Sequence, residues 1–167
     1  MPPAHLSDTY PIAKETLDSL FSYPDNFGIV RRELTVAHCS AVLYYAEALS
    51  DTAVTERILA FCKGSADTPM PETAEAFCAE NISYAETEIS DDPAALHTAV
   101  MTGCLLLLCA CYPTRGILIK ARNIPSRGIE EPEHDKVLRG AHVGFVEVLP
   151  RNCAMIRRQL RTPALTM

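Results

Sequence analysis

The chain has 167 residues, 22% of them charged, with 15 Lys and Arg against 21 Asp and Glu for a formal net charge of -6. A chain of this length fits one domain or two small lobes with an ordinary core, and its acidic balance argues against a surface that tracks phosphate backbones, so no nucleic acid partner is expected. The apolar run Cys104 to Cys111 is far shorter than the roughly 20 residues needed to span a bilayer, so this piece is expected to be soluble.

Met1-Pro2-Pro3-Ala4-His5 lacks the basic and apolar regions of a secretory signal. The 7 cysteines, odd in number and without a Cys-x-x-Cys pair, read as free thiols in a reducing compartment.

In chain order, Thr9-Tyr10-Pro11 opens a helix with proline in its first turn, and Ala13, Leu17, Leu20 and Phe21 give it one apolar stripe before Tyr23-Pro24-Asp25-Asn26 stops it. Phe27 to Val36 and Ala41 to Ala46 are rich in apolar and β-branched residues, and the short gap between them predicts an antiparallel hairpin. Ser50 or Asp51 caps a second helix with Val54, Ile58, Phe61 and Cys62 on one face and Gly64 as its stop. Residues 65–71, proline-bearing and without periodicity, are a candidate internal linker. A short helix from Glu72 to Glu80 follows, and Ile82 to Ile89 reads as an edge strand because Glu86 and Glu88 discourage pairing beyond it.

Asp92-Pro93 starts the next helix, with Leu96, Ala99 and Val100 facing one way and Gly103 ending it. Cys104 to Ala110 is apolar on both faces, as a central strand covered by two layers requires. After the turn from Tyr112 to Gly116, Ile117, Ile119 and Ala121 alternate with Leu118, Lys120 and Arg122 in a strand nearer the edge. The order predicts an α/β fold: a mixed β-sheet of hairpins and helical crossovers flanked by helices, forming a single lobe over residues 1–167.

Little in this pattern suggests catalysis. Cys109 and Cys111 share a strand face but Cys104 takes the other, and no histidine stands at ligand spacing, so the three read as small apolar core residues and no metal or cofactor is expected. The cluster Glu130, Glu131, Glu133, His134 and Asp135 reads as a solvated polar loop. His38, His97 and His142 are isolated, and no phosphate loop, dinucleotide fingerprint or nucleophile elbow occurs. An enzyme is not expected.

The terminal stretch is the most specific. Gly140 and Gly144 serve either a turn and a helix start or a close approach to a partner backbone. On a helical wheel Phe145, Leu149, Asn152, Ile156 and Leu160 share an arc that should face the core. A buried Asn152 then needs loop acceptors and donors between Arg127 and Gly140. Pro150 predicts a kink or a helix start. Arg157, Arg158 and Arg161 read as a solvated helix end, or as a contact for acidic protein or lipid headgroups.

Arg127, Glu131-Pro132, Val137-Leu138-Arg139-Gly140, Gly144-Phe145-Val146-Glu147, Asn152 and Ile156-Arg157-Arg158, together with Phe27 to Leu34 and Val42 to Leu49, resemble the N-terminal region of the GerA-type spore germination A-subunit family. The resemblance covers roughly residues 25–167, weakly from 64 to 100. Arg122, Pro125, Arg127 and the wording Arg139-Gly140-Ala141-His142 are similar to its stage V sporulation protein AF branch. Ala141, Val143 and Pro150 depart from the pattern.

The resemblance implies a non-enzymatic lobe facing the cytoplasm, or spore core, from a spore inner-membrane germination protein. Its partners would be other germination-protein subunits and a following membrane domain of the same chain, with a homo-oligomer as a further option. The role would be subunit assembly or signal transmission toward ion release. A small-molecule module binding a germinant or dipicolinate is the alternative, since mixed α/β domains commonly hold ligands beside strand ends.

Overall fold

The computed structural model describes residues 3–65, 69–122, 148–160 and 165. Its elements are α1 (Tyr10–Leu20), β1 (Ile29–Val36), β2 (Cys39–Ala46), α2 (Thr52–Gly64), α3 (Ala74–Asn81), β3 (Thr87–Ser90), α4 (Pro93–Val100), β4 (Cys104–Cys109), β5 (Gly116–Lys120) and α5 (Leu149–Leu160). The strands form a 5-stranded sheet in the order β1-β2-β4-β5-β3. The expected α/β architecture of hairpins, helical crossovers and flanking helices is observed, and each pairing is antiparallel.

Strand β4 sits at the centre because every one of its side chains is apolar or a thiol and every one is buried. Period-2 alternation splits them between two cores. Cys104, Leu106 and Leu108 join Val42, Tyr44 and Leu118 beneath α1 and α4. Leu105, Leu107 and Cys109 join Leu43, Ile117 and Ile119 beneath α2 and α3. A leucine of this strand cut to alanine leaves a cavity at a cost of about 2–5 kcal/mol.

The helices start where the sequence places their caps. Asp51 accepts from Val54 N at 3.0 Å, Thr73 from Ala76 N at 3.2 Å and Asp92 from Ala94 N at 2.8 Å, each such cap contributing about 1 kcal/mol. The first hairpin turns on Ala37 and His38, both at positive φ (45° and 68°), the backbone that matches strand twist in a two-residue loop. In the expected linker, Ser65 is buried, accepts from Ala37 N and donates to Cys62 O.

Several boundaries differ from expectation: β1 begins at Ile29 rather than Phe27, β2 at Cys39 rather than Ala41, and α3 runs Ala74–Asn81 rather than Glu72 to Glu80. The edge strand begins at Thr87 rather than Ile82, because Ile82 N donates to Cys78 O and the Ile82 side chain is buried beside Phe77, so these residues close α3 instead. Gly64 belongs to α2, which ends against Ser65.

Candidate functional site

Helix α5 is the described part of the terminal stretch, and Arg157 holds it to the body. Arg157 is 4% exposed. One terminal nitrogen donates to Asn26 Oδ1 at 2.6 Å and to the Phe27 carbonyl, and the other reaches Met101 Sδ at 3.8 Å. Asn26 is itself buried and donates to Phe21 O at 2.9 Å, so its amide is preset by the end of α1. The guanidinium thus ties α5 to the α1–β1 loop and to the end of α4. A planar five-donor fork can satisfy several fixed acceptors at once, which a lysine could not do.

This burial corrects the expectation that Arg157 is part of a solvated helix end. It also corrects the wheel. The face toward the body carries Cys153 and Arg157, while Leu149 and Leu160 of the expected core stripe are 62% and 58% exposed. The two faces lie within one residue step of about 100°. The rotation follows from charge: once water is removed, the guanidinium needs acceptors, and those acceptors lie on Asn26 and Phe27.

Desolvation lowers the Arg157 pKa from its usual value. Its neighbour His97, 2% exposed and stacked on Phe21 at 5.2 Å, is pushed down to about 4, first by burial and then by the Arg157 charge. Phe21 in turn stacks on Tyr44 at 5.1 Å. The tether therefore reaches from α5 into the core over β2. Beside it, a cleft of about 20 Å³ between Gly28, Glu47, Leu49 and Cys153 has room for about one water.

Of the other sequence candidates, Asn152 is half-buried in α5, and its backbone N donates to Val148 O at 3.3 Å. Pro150 stands in the first turn of the helix, as a helix start requires. Arg158 lies in α5, and its side chain is outside what is described. Arg127, Glu131, Pro132, Arg139, Gly140, Gly144, Phe145 and Glu147 lie outside the described residues, as do the acidic cluster and the loop expected to hold Asn152.

The cysteines also differ from expectation. Cys39 and Cys111 are joined in a disulfide, so they are not free thiols. Cys111 is exposed rather than in the core, whereas Cys104 and Cys109 are buried on opposite faces, as read from the sequence. Sequence spacing missed the pairing because Cys39 lies 72 residues before Cys111. Asn26 and His97 were also missed as members of the Arg157 site.

A five-stranded antiparallel sheet between two helical layers, closed by a pinned C-terminal helix, defines the class: an α/β lobe with the fold of a receptor-subunit N-terminal domain. That fold is seen in the crystal structure of the N-terminal domain of the A subunit of the Bacillus megaterium spore germinant receptor GerK3, at a TM-score of 0.69 and 16% identity over 97% of this chain and 58% of that one. The family model of the Bacillus/Clostridium GerA spore germination protein matches residues 15–167, and the chain belongs to this family. It is 46% identical over 48 residues to stage V sporulation protein AF of Bacillus subtilis and 27% identical over 135 residues to spore germination protein XA of Bacillus anthracis. Those matches cover 29% and 70% of this chain but only 10% and 27% of the relatives. No helix among the described residues is long and apolar enough to cross a membrane.

Proposed function

We propose that the chain is the first N-terminal lobe of a spore inner-membrane germination protein, facing the cytoplasm, and that it works without catalysis by coupling subunit assembly or signal transmission to the rest of the protein. Membership of the GerA family supports the setting. The observation that carries the coupling is the burial of Arg157, which joins α5 to the α1–β1 loop and α4. A displacement of either segment must move or release α5. Within this reading Arg127, Glu131, Pro132, Arg139, Gly140, Gly144, Phe145, Glu147 and Arg158 are candidates for the surface that meets other subunits.

The test is Arg157→Met in the full-length protein in spores, with germination rate and recovery of partner subunits measured together. Slower germination or lower subunit recovery is expected while the protein still reaches the membrane. Normal germination with normal subunit levels would remove the coupling role.

The second reading, a small-molecule module, would use the open groove between α3 and β3 lined by Cys78, Ile82, Thr87 and Ile89. A thermal-shift screen with amino acids, sugars and dipicolinate separates the two. A saturable shift lost on Ile89→Arg supports ligand binding there, and silence supports the assembly lobe.

A further inference from the structure

Register brings three distant cysteines together. β2 and β4 pair antiparallel with Ala41 opposite Cys109, and the ladder extends one step as Ala110 N donates to Ser40 O at 2.8 Å. Continuing it places Cys39 opposite Cys111, their Cα atoms 6.3 Å apart. Alternation then puts Cys39, Cys109 and Cys111 on the same sheet face, and their sulfurs all lie within 4.8 Å of one another. Cys109 is 1% exposed, Cys39 is half-buried and Cys111 is exposed.

We propose that, once the Cys39–Cys111 disulfide is opened, these three residues form a thiolate site for a borderline-soft d10 cation of the Zn²⁺ class. A tetrahedral ion with Zn–S bonds of about 2.3 Å holds its sulfurs about 3.8 Å apart, within the spacing this cluster already has. The outer two sulfurs must separate to reach it, and their rim positions leave room for that. Three sulfurs leave one coordination position open, and the exposed Cys111 marks the side from which water and the ion arrive.

Coordination deprotonates a thiol outright, so each cysteine that takes the cation gives up its proton. The steps balance. A dithiol reductant delivers two electrons and two protons to the disulfide and itself becomes a disulfide, and cation binding then releases up to three thiol protons. Oxidation reverses both, so the site exists only in the reduced chain. A cross-link alone requires no third thiol beside it, and Cys109 supplies one. The proposal is independent of the germination reading.

The chain, reduced with a phosphine and desalted into chelator-free buffer, is titrated with Co²⁺ as a spectroscopic probe and then with Zn²⁺. Thiolate-to-cobalt charge-transfer absorption and tetrahedral ligand-field bands are expected at equimolar Co²⁺, bleached when Zn²⁺ displaces it and absent from the oxidised chain. Cys111→Ser, at an exposed position, should abolish the bands with the far-ultraviolet circular dichroism unchanged, whereas Cys104→Ser on the opposite face should keep them. The proposal is overturned by a reduced, folded chain that gives no charge-transfer band, or by an undiminished band in the Cys39→Ser, Cys111→Ser double variant.

Discussion

Arg157 on the last described helix donates to Asn26 Oδ1, 131 residues earlier in the chain, at 2.6 Å. Both side chains are buried, at 4% and 3% exposure, so the bond joins α5 to the α1–β1 loop away from water. Arg157→Met keeps much of the aliphatic stem but strips the Phe27 carbonyl and the Asn26 amide of a charged donor. The expected loss is about 1–3 kcal/mol, read by urea denaturation. Hydrogen exchange should accelerate in α5 and leave β4 protected. Equal stability together with unchanged exchange would show that the Arg157 hydrogen bonds do not hold the helix.

His97 makes the same region pH-sensitive. Its folded pKa of about 4 lies below the usual histidine value of about 6.5, so between these values the unfolded chain binds the proton and the folded chain does not. Stability is therefore complete above about pH 6.5 and falls as the pH drops toward 4. Between pH 7 and pH 5 this one group should remove about 2 kcal/mol. His97→Gln should flatten that part of the pH profile, and Arg157→Met should weaken it because the second cause of the depression is gone. A wild-type profile no steeper than that of His97→Gln would rule the account out.

The sheet was legible because its signals are local. A short doubly apolar run bounded by Gly103 and Tyr112 reads as a covered strand, and Asp51 and Asp92 stand where their carboxylates reach the first free amides. What was not legible depends on assembly. The wheel of α5 favoured Leu149 and Leu160 because it weighs hydrophobicity and knows nothing of Asn26, whose oxygen becomes available only after α1 and β1 are placed. The pairing of Cys39 with Cys111 follows from the register of β2 on β4, which neither strand states alone. The family-motif residues from Arg127 to Glu147 lie outside the described residues.

Gly64 and Gly103 looked alike as helix stops, yet they differ in the fold. Gly103 has φ +98°, and a Cβ added there would collide with the Leu49 carbonyl oxygen, whereas nothing lies within 4 Å of a Cβ at Gly64. Gly103→Ala should therefore cost about 3 kcal/mol from backbone strain and collision together. Gly64→Ala should be neutral or stabilising by up to about 1 kcal/mol, since alanine loses less entropy in a helix. Thermal melts of the two variants check the contrast, and equal melting temperatures would contradict it.

Tyr44 tests whether the polar cluster under α1 acts as a unit. Its hydroxyl donates to Asp18 Oδ1 at 2.8 Å, while Arg31 donates to Asp18 Oδ2 at 2.6 Å and stacks over Tyr23 at 4.4 Å. Burial, and then the bond to Asp18, raises the Tyr44 pKa far above its ordinary value, so the hydroxyl is a donor at any physiological pH. Tyr44→Phe preserves the stack on Phe21 and removes only that donor. A hydrogen bond to a charged acceptor is worth about 1.5–3 kcal/mol, and the lower end is expected because the Asp18 side chain is 22% exposed and regains some water. Asp18→Asn weakens the bond to Arg31 as well, so the two changes share a partner and should not add. A double-mutant cycle by urea denaturation should return a coupling of about 1 kcal/mol. Additive losses would mean that the Tyr44 hydroxyl draws no stabilisation from the Asp18 charge, and that the cluster does not act as a unit.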